Sequence, residues 1–212
     1  RKPRGPPQEA MNNMVGLFLG NNPFIKDTTK NNELEVRFGT TGKKKYTKID
    51  YDNVIRKLKS LGFHSENEEG SYLWRINNEF LDPGSGTFKQ SNIRSEIIGF
   101  TGIQDYCKHN DINKLIKTQS SAYQINFYSK FAYKHLNERL DYVDFRDFNF
   151  RVAYEVEETL NHGGKVKHML DGWEKTKKTF RFINRVTFVH PELPIKVDIS
   201  IVKSSTLDQA GK

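Results

Sequence analysis

Several segments of this chain alternate, residue by residue, between apolar and charged or polar side chains, and this period of two constrains the fold most strongly. Successive side chains of a β-strand point to opposite faces of the sheet, so such a period predicts half-buried strands. The pattern predicts strands over residues 33–38, 90–97, 123–134, 147–157, 180–188 and 195–202, with a less regular strand over 71–77. The chain is therefore predicted to be mainly β, with a few helices.

The clearest helical period covers residues 50–61. Asp50 is suited to cap its first turn, Gly62 to end it, and apolar residues recur between them at helical spacing. Weaker patterns predict a helix over residues 10–19 and another within 103–117.

Composition limits the compartment and the partner. The chain has 34 Lys and Arg against 26 Asp and Glu, a formal net charge of +8, which predicts an anionic partner such as nucleic acid, nucleotide or polyphosphate. Cys107 is the single cysteine, which excludes an internal disulfide framework and a cysteine-based zinc site and is typical of a reducing compartment. No apolar run approaches the roughly 20 residues of a membrane span, so no membrane partner is expected. The basic, proline-rich residues 1–9 are predicted to be a flexible leader, and residues 10–212 a single domain.

The charged faces of the predicted strands have two interpretations. They are either the solvated faces of an antiparallel sheet packed on helices, or the interior of a closed barrel. The repeated alignment of Arg with Glu favours the second, whereas periodicity alone favours the first. An interior with both charges suits a metal-bound polyanion, because carboxylates hold divalent cations and guanidinium or ammonium groups hold phosphate oxygens.

Glu33 and Glu35 are the first candidates for such a site. Residues i and i+2 of a strand share one face and lie about 6.5–7 Å apart, so both carboxylates can reach one ion. A pair of glutamates at this spacing is usually only surface, but Arg and Lys residues at matching positions on the other strands add weight to it.

Five segments, in order along the chain, resemble the triphosphate tunnel metalloenzymes, and among these the RNA 5′-triphosphatase domain of mRNA capping enzymes from large nucleocytoplasmic DNA viruses. The first, Asn-Glu-Leu-Glu-Val-Arg-Phe, is similar to the family's first strand. The others are similar to its early arginine strand, its lysine strand, its R-x-K-x-R strand and its R-x-D-x-T strand. These segments are residues 32–38, 92–94, 128–130, 180–188 and 195–205.

The resemblance implies a closed, antiparallel, eight-stranded β tunnel with a charged interior and a few helices packed outside. It implies metal-dependent hydrolysis of the γ-phosphate of 5′-triphosphate RNA, the first step of mRNA capping, with Mg²⁺ or Mn²⁺ as cofactor. It further implies 5′-triphosphate RNA or NTP as partner, linked guanylyltransferase and methyltransferase modules outside this chain, and an intracellular, reducing location in the host cytoplasm (the viral factory) or the virion.

The resemblance also assigns roles to individual residues. Glu33 and Glu35 would hold the metal, and Glu155 and Glu157 are further candidates for that role. Asp198 would orient a neighbouring basic residue, and Arg37 and Arg151 would contact substrate. The side chains that would neutralise phosphate charge are Arg94, Lys130, Arg181, Arg185 and Lys196.

Three departures from the family pattern qualify these roles. The family places a second glutamate-rich strand after the R-x-D-x-T strand, and none follows before Lys212, so the domain is expected to lack its terminal glutamate strand. Ile183 stands where the family has lysine. Lys196 replaces arginine, which gives a point charge instead of a bidentate fork.

Two other functions remain open on the sequence. One is a different tunnel-fold hydrolase of NTP or polyphosphate. The other is a non-catalytic, basic barrel that binds RNA or polyphosphate, which the absent glutamate strand favours. No K-x-D-G nucleotidyltransferase motif is present, so the chain is expected to be the triphosphatase module only.

Overall fold

The structure is a computed structural model, which describes residues 6–21, 30–39 and 45–207, with only the backbone at 206 and 207. These residues form five α-helices, and none of the helices is long and apolar enough to cross a bilayer. The helices are α1 (Pro7–Asn21), α2 (Lys48–Ser60), α3 (Phe100–His109), α4 (Ile112–Thr118) and α5 (Gly164–Asp171).

Strands make up most of the remaining described chain, and the predicted mainly β, antiparallel fold is confirmed. The longer strands are β1 (Lys30–Phe38), β3 (Ser71–Leu81), β4 (Phe88–Ile98), β5 (Gln124–Ala132), β9 (Phe150–Leu160), β10 (Lys177–Val189) and β11 (Lys196–Leu207). The short ones are β2 (His64–Ser65), β6 (Lys134–His135), β7 (Glu138–Arg139) and β8 (Val143–Phe145).

Helix α1 begins inside the predicted leader. Residues 1–5 lie outside the described residues, but the helix begins at Pro7 and so includes the last three residues of the predicted leader. The carbonyl of Pro6 accepts hydrogen bonds from the backbone N–H groups of Glu9 and Ala10, at 3.0 and 3.3 Å. Proline suits the first helical position because its fixed φ matches the helix and its missing N–H would have no partner there.

The chain divides into two compact units. The first unit comprises residues 1–47 and 129–159, and the second comprises residues 48–128 and 160–212. Strand β5 contributes its first five residues to the second unit and its last four to the first. The single domain predicted over residues 10–212 stays a prediction.

In the first unit, β1 pairs antiparallel with β9 along its whole length. The register places Glu33 opposite Glu155 and Arg37 opposite Arg151. Strand β9 also pairs with β8 and has β5 as a sheet neighbour. A small core on the other face of β9 buries Met14 of α1 against Val152 and Tyr154. Because side chains alternate, this core leaves Arg151 and Glu155 on the opposite face.

In the second unit, β3 pairs antiparallel with both β4 and β10, and β10 pairs antiparallel with β11. Arg75 of β3 lies opposite Arg181 of β10 on one side and opposite Glu96 of β4 on the other. In the same sheet, Arg94 lies opposite Asn77. The pairing therefore brings charged residues of three strands into adjacent rows.

The main hydrophobic core belongs to the second unit. Residues from β3, β4, β5 and β10 pack there with residues from α3, α4, α5 and the turn after α5, including Ile76, Ile97, Phe127, Trp173 and Phe180. Along β3, β4 and β10, these core residues alternate with the charged residues described above, so the two sets lie on opposite faces of the sheet. Burial of the apolar face against the helices thus fixes which face presents arginine.

Candidate functional site

Three glutamates of the first unit surround one lysine, and we call these four residues the glutamate cluster. The Lys130 Nζ atom lies 2.7 Å from Glu33 Oε2, 3.2 Å from Glu35 Oε2 and 3.3 Å from Glu155 Oε2. Lys130 donates a hydrogen bond to Glu35. The Lys130 side chain is only 13% exposed, whereas those of the three glutamates are 20–32% exposed.

Strand register builds the cluster. Glu33 and Glu35 share one face of β1 because they are two residues apart, and the β1–β9 register puts Glu155 directly opposite Glu33. Lys130 reaches the same carboxylates from β5, the sheet neighbour of β9. Sequence reasoning foresaw the shared face of Glu33 and Glu35, and the structure brings Glu155 to them.

Opposite charges set the ionisation of this cluster. Burial raises the pKa of Glu35, but the charges of Lys130 and Arg37 outweigh it, so the pKa lies below its ordinary value. For Lys130, burial lowers the pKa, whereas the ion pairs with Glu33, Glu35 and Glu155 outweigh burial and raise it above the ordinary value. Glu35 is therefore ionised and Lys130 carries its ammonium charge at neutral pH.

Arg37 closes one side of the cluster. Its Nε atom lies 3.5 Å from Glu35 Oε2, and its Nη2 atom lies 3.8 Å from Glu155 Oε1. The Arg37 guanidinium thus contacts two of the cluster carboxylates, and its predicted contact with substrate stays a prediction.

The donor set of the cluster suits a hard divalent cation. Carboxylate oxygens are the ligands that Mg²⁺ and Mn²⁺ prefer. Glu155 Oε2 is buried and takes part in no hydrogen bond, although Lys130 Nζ lies within ion-pair distance of it. Across the described ranges, no three carboxylate, histidine or cysteine side chains are spaced to hold one ion as they stand. The three glutamates converge instead on the Lys130 ammonium group.

Two other predicted residues of β9 lie outside the glutamate cluster. Glu157 lies opposite Asn31 of β1, two residues further along β9 than Glu155. Arg151 donates hydrogen bonds to both carboxylate oxygens of Asp144, at 2.7 and 3.1 Å, and its guanidinium lies 3.4 Å from the centre of the Tyr142 ring. This bidentate pair fixes the Arg151 guanidinium on Asp144, and a contact of Arg151 with substrate stays a prediction.

Four arginines of the second unit form a group that we call the arginine cluster: Arg75, Arg94, Arg181 and Arg185. Burial lowers the pKa of Arg181, and the charges of Arg75, Arg94 and Arg185 lower it further. Within the described part of the chain, no carboxylate lies within ion-pair distance of Arg94 or Arg181. Crowded guanidinium groups of this kind attract a multiply charged anion.

Arg75 was missed by sequence reasoning and is held in place by two neighbours. Its Nη2 atom lies 3.4 Å from Glu96 Oε2, and its guanidinium lies 5.9 Å from the centre of the Tyr128 ring. The Tyr128 hydroxyl donates a hydrogen bond to the same glutamate oxygen, at 3.1 Å. Burial raises the pKa of Tyr128 to about 12, so this hydroxyl keeps its proton at neutral pH.

Arg185 is positioned by β11. Its Nε atom donates to Ser200 Oγ at 3.1 Å, and its Nη1 atom lies 3.6 Å from Asp198 Oδ2. Thr187 donates to the other oxygen of Asp198, at 2.6 Å. Asp198 thus contacts an arginine, whereas Lys196 is exposed at the start of β11, opposite Val189.

Two signals in the sequence point to the missed residues. The first signal is the alternation of β3, in which Arg75, Asn77 and Glu79 fall on one face. Leu73 falls on that same face and is apolar, which obscures the period. Glu96 already shared a predicted face with Arg94, and only the β3–β4 register shows which arginine it contacts.

No protein-family model matches the chain, and no curated protein matches it. Among solved structures, the chain is similar to the Mimivirus capping enzyme triphosphatase, with a TM-score of 0.52 and 16% sequence identity over 91% of this chain and 78% of that one. At this identity the likeness shows a shared fold, and the mainly β, antiparallel fold implied by the sequence resemblance is confirmed. Closure of the sheet into an eight-stranded tunnel stays a prediction.

Proposed function

We propose that this protein is a metal-dependent RNA 5′-triphosphatase that removes the γ-phosphate of a 5′-triphosphate RNA end. The observation that carries the proposal is a carboxylate cluster and an arginine cluster on a fold shared with the Mimivirus capping enzyme triphosphatase. Removal of a terminal phosphate needs both a site for a divalent cation and cations for the phosphate oxygens.

Glu33, Glu35 and Glu155 would hold Mg²⁺ or Mn²⁺. When bound, such an ion polarises a phosphoryl oxygen and lowers the pKa of a bound water. The surrounding residues have supporting tasks: Arg37 fixes the carboxylates of Glu35 and Glu155, and Lys130 supplies an ammonium group in the same place.

The arginine cluster would neutralise the phosphate oxygens. Guanidinium groups bind them with two parallel hydrogen bonds, and their positive charge stabilises the charge that develops during transfer. Arg94 and Arg181 are the best-suited residues because neither is in an ion pair with a described carboxylate. Arg75 and Arg185 are each held by a carboxylate, and so they present their remaining N–H groups in fixed directions.

The preferred substrate is RNA rather than free NTP, and the physiological setting is the first step of mRNA capping. In that setting, guanylyltransferase and methyltransferase modules outside this chain would act on the diphosphate end. We place the protein in the host cytoplasm or the virion. The formal net charge of +8 supports an RNA partner.

The test is release of inorganic phosphate from 5′-triphosphate RNA, with and without Mn²⁺ or Mg²⁺, for the wild type and for Glu35→Gln. Wild type should release phosphate only with metal, and Glu35→Gln should be slower by about 100-fold or more, because it removes one anionic ligand. The matched control is Glu138→Gln in β7, an exposed glutamate outside the glutamate cluster, which should act like wild type. Equal loss in both variants, or full activity of Glu35→Gln, would contradict the proposal.

A non-catalytic RNA- or polyphosphate-binding protein is the second candidate. It is favoured by Lys130, which already neutralises the carboxylates that a metal would need. Such a protein would bind triphosphate RNA without metal and release no phosphate. The same assay, combined with a filter-binding measurement, separates the two functions.

A further inference from the structure

The glutamate cluster holds its own counter-ion. The Lys130 ammonium group is within 3.3 Å of one oxygen from each of the three glutamates. It comes from a strand that is not the strand of any of those glutamates, so the contact depends on tertiary structure and not on neighbours in sequence.

A divalent cation and this ammonium group need the same oxygen atoms. Mg²⁺ binds oxygen at about 2.0–2.1 Å and takes several ligands at once. Lys130 Nζ lies at hydrogen-bonding or ion-pair distance from the oxygens that would supply these ligands. Since two cations repel each other strongly at such separations, entry of the metal requires Lys130 to leave the centre of the glutamate cluster.

When the Lys130 side chain leaves the three carboxylates it gives up its ion pairs with them, and another anion that accepts its charge offsets this cost. The burial of Lys130 is high, with 13% of its side chain exposed. A triphosphate supplies several anionic oxygens that accept ammonium hydrogen bonds, whereas bare metal brings only further positive charge.

We propose that the glutamate cluster takes up its metal together with the triphosphate, as a metal–triphosphate complex, and that Lys130 blocks the uptake of bare metal. This inference rests on the proposed function and names the form in which its substrate binds. Lys130 moves from the three carboxylates to phosphate oxygens when the complex arrives. The negative charge of the three glutamates is thus compensated by Lys130 before the complex binds and by the metal afterwards.

The first experiment measures binding of Mn²⁺ alone to the full chain, by electron paramagnetic resonance of the free ion. Lys130→Met should bind Mn²⁺ at least about tenfold more tightly than wild type, because the competing charge is removed. Lys130→Arg keeps a cation among the carboxylates and should bind Mn²⁺ as weakly as wild type. Lys134→Met is the matched control on the neighbouring short strand β6 and should also match wild type.

The second experiment measures binding of a hydrolysis-resistant imidotriphosphate with Mn²⁺, by titration calorimetry. Wild type should bind the preformed Mn²⁺ complex at concentrations at which Mn²⁺ alone does not bind. Lys130→Met should bind Mn²⁺ alone more tightly than wild type does. It should bind the Mn²⁺–imidotriphosphate complex about tenfold more weakly than wild type, because the phosphate loses an ammonium partner. Circular dichroism of each variant checks that it is folded.

Equal affinity of wild type and Lys130→Met for Mn²⁺ alone would overturn the inference, and so would tight binding of bare Mn²⁺ by wild type. These results leave the proposed function standing if metal-dependent phosphate release is observed. Conversely, cooperative binding of Mn²⁺ and imidotriphosphate without any phosphate release from triphosphate RNA would contradict the proposed function while supporting the role of Lys130.

Discussion

The two clusters balance their charges in opposite ways. In the glutamate cluster, Lys130 and Arg37 lie among three carboxylates, and these contacts lower the pKa of Glu35. In the arginine cluster, like charges crowd together, and they lower the pKa of Arg181. The first arrangement compensates its charges within the protein, and under the proposed function it exchanges one cation for another. The second brings like charges together, and the proposed phosphate ligand would compensate them.

The largest expected effect comes from removing an unpaired arginine. Arg181→Ala should reduce kcat/KM for 5′-triphosphate RNA by about 100-fold, because a guanidinium group aimed at transferred phosphate contributes most in the transition state. Steady-state phosphate release measures the effect. Arg56→Ala on the exposed face of α2 is the control and should keep wild-type kinetics. A decrease in kcat/KM of less than about threefold in Arg181→Ala, comparable to the loss of a weak surface contact, would show that the arginine cluster takes no part in the reaction.

Anion binding should stabilise the protein through the arginine cluster. Tripolyphosphate at 100 times its Kd should raise the free energy of unfolding of wild type by about 2.7 kcal/mol. At the same concentration the gain should be clearly smaller for Arg181→Met, and added NaCl should reduce it in wild type. Thermal unfolding without metal measures both. Equal stabilisation of the two proteins would show that the anion binds elsewhere.

Neutralising one cation in each cluster should change stability in opposite directions. Lys130→Met leaves three carboxylates without their central partner and should lower the free energy of unfolding by about 2 kcal/mol. Arg181→Met relieves repulsion among guanidinium groups and should raise it by about 0.5 kcal/mol. Urea denaturation at pH 7 without phosphate or metal measures both. Destabilisation by both variants to the same extent would contradict the contrast between the clusters.

The smallest effect is a pH dependence of the glutamate cluster. The pKa of Glu35 in the folded protein lies below its ordinary value of 4.5, so its stabilising contribution is present above pH 4.5 and is lost as the pH falls through the folded pKa. The stability difference between wild type and Glu35→Gln should therefore shrink as the pH is lowered from 7 to 3.5. Urea titrations at the two pH values test this, and a difference that grows at pH 3.5 would contradict it.

The period of two predicted most strands because burial of one face fixes the alternation. Predicted strands 33–38 and 180–188 correspond to β1 and β10, which extend a few residues further at their N-terminal ends. The predicted strand 147–157 was wrong at its start, since Arg146–Phe148 forms a 3₁₀ turn and Asn149 takes a positive φ of 53°. Asparagine tolerates that conformation better than most residues, so the turn had a local cause.

Helix α5 lies in a basic segment and was not among the predicted helices. Val166, Met169 and Leu170 have helical spacing and are buried, but the lysines beside them obscure the apolar stripe. Lys178, in the same basic segment, is buried and donates hydrogen bonds to the carbonyls of Trp173 and Thr176. A count of charges cannot separate such a lysine from a solvated one.

The composition of the two clusters was only partly predictable. Spacing within one strand brings Glu33 and Glu35 together, so the sequence is sufficient for that pair. The approach of Lys130 and Glu155 to them depends on pairing between distant segments, which periodicity does not encode. Arg75 joined the arginine cluster through the β3–β10 register for the same reason.

The most direct test of the account is γ-phosphate release from 5′-triphosphate RNA by the wild-type chain at saturating Mn²⁺, followed by a chelator. The account predicts release that stops on chelation and leaves a 5′-diphosphate end on the RNA. A folded chain that binds this RNA tightly but releases no phosphate at any Mn²⁺ or Mg²⁺ concentration would contradict it.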